Sequence, residues 1–223
     1  MRLLRPGFHG TALLLAAICT VTAFAQTAAT KLPADVLPDS RARLPYLQRT
    51  SLDEAGQKIY DVLPGRSATG LGGPLAFAAY NPAVAKALFD LHNAAVAGSL
   101  NAHVRELAIM VACRETNYNL EWNGHEATAL RSGIDAKLLD VIRKGGPLTG
   151  VPEADAVVIK FGRELFTGRK VESATFAKAV ELFGQKGVMD IVAVMQTYAV
   201  SGYYAIAVDE QAAAGKTPLE RIK

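Results

Sequence analysis

Residues 101–134 carry two helical patterns separated by three residues. Asn101 precedes "AHVRELAIMVACRETN", whose apolar positions wrap far round a helix. Asn117-Tyr118-Asn119 interrupts the pattern, and "LEWNGHEATALRSG" resumes it. A break this short lets two consecutive helices fold back on each other. A central, mostly apolar helix paired with its successor is the nucleus of a helical bundle. That pairing constrains the fold more than any other stretch of the chain.

The flanking segments agree with an all-α domain. In "SLDEAGQKIYDVL", Ser51 followed by Glu54 has the spacing of a capping box. Asn81 then Pro82 predicts an N-cap and a first helical residue for "NPAVAKALFDLHNAAVAGS". Asn101 is the expected cap of the central helix, and Asn119 that of the next, with Glu121 placed well near its N-terminus. Gly133 closes that helix, and Asp135 caps "AKLLDVIRKGG". Three further helical stretches follow: "PEADAVVIKFGRELFTG", "SATFAKAVELFGQKG" and "VMDIVAVMQTYAVSGYYAIAVDEQAA". The last is long enough for a membrane span, but Gln196, Thr197, Ser201 and Gly202 interrupt it and no basic flank marks it. It reads as a buried bundle or subunit-interface helix. No stretch alternates with period two. The Gly-rich segment 65–77 lacks a preceding strand and a GxxxxGK[ST] pattern, so it is not a phosphate loop. One domain over residues 51–210 is expected, with an irregular arm over 26–50 and a tail over 211–223.

Residues 1–25 read as a secretory signal peptide. Arg2 and Arg5 precede an uncharged apolar run that ends in Ala23-Phe24-Ala25. The expected location of the mature protein is periplasmic or secreted. The leader takes two of the 24 basic residues and none of the 21 acidic ones, leaving 22 against 21 and a net charge of +1. With no basic run, nothing points to nucleic acid. The leader also takes Cys19, so Cys113 remains as the single thiol, without a disulfide or dithiol partner in the chain. Its apolar neighbours favour a buried structural thiol over a nucleophile.

Glu121 and His125, at i and i+4, share a helix face. A carboxylate there favours the imidazolium and orients the ring. Glu106 precedes His125 by 19 residues, and the hairpin brings the two within reach if the helices pack antiparallel. Tyr118 and Trp122 are candidates for an aromatic, substrate-binding wall. Such a histidine is a candidate general acid/base. The same residues also fit a solvent-facing ion pair beside a core tryptophan. A metal site is not expected, because His92 and His103 are isolated in sequence and no His-x-x-x-His or Cys-x-x-Cys spacing occurs. No cofactor is called for.

The stretch "RELAIMVACRETNYNLEWNGHEATALRSGI" (105–134) resembles the core of the carboxymuconolactone decarboxylase / alkylhydroperoxidase D-like family. The shared pattern is Arg-Glu opening an apolar helix, a polar break, then Trp and His before a helix ending in Gly. The resemblance implies an all-helical subunit that assembles as a homotrimer or homohexamer. It also implies that Glu106 and His125 are the acid/base pair, with Glu121 as a tuning group or second acid. In the peroxidase branch a Cys-x-x-Cys pair precedes that histidine. Here Tyr118 and Glu121 stand at those positions, so the usual dithiol chemistry has no groups to run on. The lyase branch needs no thiol. The expectation is therefore a cofactor-independent lyase, decarboxylase or isomerase acting on a small carbonyl-containing or lactone acid. Two alternatives stay open: a thiol-dependent peroxidase relying on Cys113, and a non-catalytic helical oligomer that binds a small ligand.

Overall fold

The computed structural model describes residues 32–68, 70–213, 215–216 and 218–221. The leader read in residues 1–25 lies outside them. Seven helices are present among the described residues: α1 (Glu54–Tyr60), α2 (Pro82–Val96), α3 (Ala102–Glu115), α4 (Asn119–Arg131), α5 (Ala136–Lys144), α6 (Glu153–Arg163) and α7 (Ser173–Ala207). The only sheet among the described residues is a ribbon of two-residue strands, β1 (Arg66–Ser67) antiparallel to β2 (Gly70–Leu71), inside the Gly-rich segment. The chain is all-α, as its periodicity predicts.

Helix α3 is the axis of the bundle. Ten of its fourteen residues are buried, Glu106 among them, and α4, α6 and α7 pack around it. Asn101 Oδ1 accepts the Val104 N–H at 2.9 Å and fixes the start of α3. Its end is set by Asn117, which adopts a left-handed conformation (φ 50°) and turns the chain. Asparagine tolerates that region better than other residues with a Cβ. The Tyr118 N–H then donates to the Cys113 carbonyl at 2.7 Å, and α4 starts antiparallel to α3.

Close approach of α6 to this axis depends on Gly162. A Cβ there would collide with the Val111 side chain and come within 3.1 Å of Met195 Cε. Glycine thus lets α3, α6 and α7 share one packed layer. Helix α7 is two helices joined at Gly184, whose φ of 69° and ψ of 167° interrupt the ladder. The sequence placed this junction three residues later, at Gly187, which is helical and buried. No helix among the described residues is long and apolar enough to cross a membrane.

Two caps differ from the sequence reading. Asp53, not Ser51, caps α1, accepting the Gly56 N–H at 2.7 Å, and Ser51 closes a short 3-10 turn over Arg49–Ser51. Ser51 Oγ is engaged elsewhere, donating to the Gln48 carbonyl at 2.7 Å. Asn119 does not cap α4 either. Tyr118 occupies the cap position, and Asn119 Oδ1 instead accepts the Leu219 N–H at 2.6 Å. The described part of the N-terminal arm lies on the body. Val36, Ala42 and Leu47 are buried, and the Arg43 N–H donates to the Val208 carbonyl at 2.8 Å.

Candidate active site

The α3–α4 hairpin sets Glu106 against His125. His125 Nδ1 lies 2.9 Å from Glu106 Oε2, a hydrogen bond across 19 residues of sequence. On the other edge of the ring, Nε2 forms an ion pair with Glu121 Oε2 at 3.2 Å, one helical turn back on α4. Both carboxylates are buried, whereas the His125 side chain keeps 23% of its surface exposed. The ring is therefore held inside and reached from outside.

A third partner comes from α7. The Tyr198 hydroxyl sits 3.3 Å from His125 Nε2, and the two rings meet edge to face at 5.1 Å. His92, on α2, stands 5.6 Å from the Tyr198 ring. Its sequence isolation does not carry over into space. Neither Tyr198 nor His92 was recognisable as a site residue, since they lie 73 and 33 positions from His125 and no local spacing links them.

The electrostatics divide the two histidines. Burial pulls the His125 pKa down, but the carboxylates of Glu106 and Glu121 outweigh it and raise the value to about 9. At neutral pH His125 is an imidazolium. For His92, burial acts first, and it lowers the pKa with help from the positive charge of His125, against the pull of Glu121. His92 is then neutral. Burial, followed by the charges of Glu121 and neighbouring groups, raises the Tyr198 pKa, so its phenol keeps its proton.

The aromatic wall expected from Trp122 is not there. Trp122 is fully buried in the core, and the Arg143 guanidinium lies 4.8 Å above its ring. Trp122 and His125 are offset by about 60° round the helix, and that offset leaves the indole in the core while part of the His125 ring stays exposed. Tyr118 is also buried, against Gly202 of α7, but it borders a cavity of about 610 Å³ shared with Glu210 and Asn119. Tyr198 supplies the ring at His125 instead. Cys113 is completely buried, and burial, then Glu121 and Glu106, pushes its thiol well up. Among the described residues no group of three or more His, Cys, Asp or Glu side chains is disposed to hold a metal ion. His103, in the first turn of α3, pairs with Asp155 at 2.8 Å.

The sequence matches no family model, and no curated protein is significantly similar to it. Solved structures do match. The debrominase Bmp8 without ligand superposes with a TM-score of 0.58 at 13% identity, over 76% of this chain and 91% of the debrominase. A Cys-to-Ala variant of Bmp8 in complex with 2,3,4-tribromopyrrole gives 0.57 at 13% identity, over 75% and 89%. An alkylhydroperoxidase AhpD core protein from Ralstonia eutropha JMP134, described as an uncharacterised peroxidase-related protein, gives 0.57 at 20% identity, over 77% and 92%. The chain has the alkylhydroperoxidase D-like fold. The polar cluster at the hairpin is His125 with its two carboxylates and Tyr198.

Proposed function

We propose that the protein is a thiol-independent acid/base enzyme acting on a small carbonyl-containing or lactone acid, as a lyase, decarboxylase or isomerase. The observation that carries this reading is a partly accessible imidazolium fixed between two buried carboxylates, with a phenol at its outer nitrogen. Such a trio has a proton donor and a proton acceptor side by side.

The charge state assigns the roles. His125 rests protonated, so it donates rather than abstracts. Glu106 holds Nδ1 and fixes the ring. At rest the Nε2–H is shared between Glu121 and the Tyr198 oxygen, so the phenol proton is left to donate onward and Nε2–H can turn to a group that replaces Glu121. A substrate carbonyl that displaces the Glu121 contact receives hydrogen bonds from His125 and Tyr198, which stabilise an enolate oxygen as it forms. The released Glu121 carboxylate takes the proton from the carbon beside that carbonyl. Returning it to another carbon completes an isomerisation. For a β-keto acid, loss of carbon dioxide leaves the same enolate, and the His125 imidazolium protonates its carbon. No external oxidant or reductant enters.

Cys113 fits a thiol mechanism poorly, because a fully buried, protonated thiol is a weak nucleophile. The assay is turnover of lactones, unsaturated acids and β-keto acids by the mature protein. His125→Gln is expected to lower kcat by at least about a hundredfold, the usual scale of general acid/base catalysis. Turnover that persists in His125→Gln but disappears in Cys113→Ser would transfer the chemistry to the thiol.

We propose further that the protein is exported by its leader and assembles as a homotrimer or homohexamer. Met189, Tyr203 and Ile206 leave apolar surface exposed along the second half of α7, and that supports self-association.

A further inference from the structure

A second cavity, of about 570 Å³, lies where the C-terminal ends of α3, α5 and α6 come together. Its lining is rich in cations: Arg114, Arg143, Lys144, Arg163 and Arg221. Three of them have carboxylate partners. Arg143 pairs with Glu126, Lys144 with Asp140 at 2.8 Å, and Arg221 with Asp209 at 3.3 Å. The other two do not. Arg163 donates only to the carbonyls of Gly146 and Val141, at 2.9 and 3.4 Å.

Arg114 is the more telling case. The residue is 96% buried (relative exposure 4%), and its single hydrogen bond runs from Nη2 to the Glu220 carbonyl at 2.5 Å. Its Nε and Nη1 are buried donors without a partner. The carboxylates that line the cavity do not supply one. Glu115 accepts the Thr167 hydroxyl at 2.9 Å. Glu164 accepts the Thr175 hydroxyl and the Glu172 N–H, each at 2.9 Å. Helix C-termini contribute about half a negative charge each, which eases the burial of the guanidinium but gives Nε and Nη1 nothing to bond. A buried cation left with unmade hydrogen bonds is costly, and such donors call for a partner, an ordered water or a bound ion.

We propose that this cavity binds a small oxyanion, a phosphate or the carboxylate of an organic acid, with Arg114 and Arg163 as its ligands. The guanidinium fork matches either group through paired N–H donors. The site is separate from His125 and does not depend on the acid/base reading.

Isothermal titration of the mature protein with inorganic phosphate and with succinate, at ionic strength matched with sodium chloride, tests this. The expected result is saturable binding of one anion per chain, and the tighter of the two identifies the source. Arg163→Gln and Arg114→Gln should each raise Kd at least tenfold, and His125→Ala should leave it unchanged. Arg163 is half-buried, so its variant keeps the test open if Arg114→Gln fails to fold, as judged by circular dichroism. Absence of saturable binding of both anions to the wild type would overturn the proposal. So would undiminished binding in a folded Arg163→Gln protein.

Discussion

His125 couples stability to pH through its own ionisation. Its pKa is raised from about 6.5 in the unfolded chain to about 9 in the folded one. The folded state thus holds the proton more tightly, and the resulting stabilisation is complete below about pH 6.5. It fades as pH rises through about 9. Solvent reaches part of the ring, so the contribution is on the order of 2 kcal/mol. Urea titrations at pH 6 and pH 10 should show that loss in the wild type and not in His125→Gln. Turnover should fall over the same alkaline range as the donor proton is lost. Glu210 works in the opposite sense. Burial, followed by the charge of Glu121, raises its carboxyl to about 7. A raised carboxylate pKa makes the fold lose stability as pH climbs from about 4.5 to about 7. Glu210→Gln should therefore stabilise the protein by about 1–2 kcal/mol at pH 8 and leave it nearly unchanged at pH 4. Comparison of thermal midpoints at the two pH values checks both parts.

At the level of elements, packing around α3 sets the tolerance to change. Gly162→Ala must push Val111 and Met195 aside, which should cost about 1–3 kcal/mol in denaturant unfolding. The helices themselves were readable because their signals are local. Asn81, Asn101 and Asp135 cap helices as their positions predict. Ser51 and Asn119 misled because competing groups, Asp53 and the backbone of Leu219, decided the hydrogen bonding. The Glu121–His125 contact was also legible, since i,i+4 spacing alone brings the residues together. The contact of Glu106 with His125 needed the antiparallel turn at Asn117, which the polar break suggested without fixing its angle. Tyr198 reaches the ring only because α7 packs on α3, and Trp122 is turned away by the rotation of α4 about its own axis. Neither fact has a signature in residue spacing.

For the whole molecule, the exposed apolar residues of α7 carry the assembly proposal. Multi-angle light scattering of the mature protein should give three or six chains, and Tyr203→Lys combined with Ile206→Lys should give monomers. Mass spectrometry of the exported material should show a chain beginning at Gln26. The last described residues brace the α3–α4 hairpin over long separations in sequence. The Leu219 N–H bonds Asn119, 100 positions earlier, and the Glu220 carbonyl receives Arg114, 106 positions earlier. The hairpin that carries the trio is thus braced by a segment made 100 or more residues after it. During synthesis the groups for proton transfer emerge before the strap that secures their scaffold.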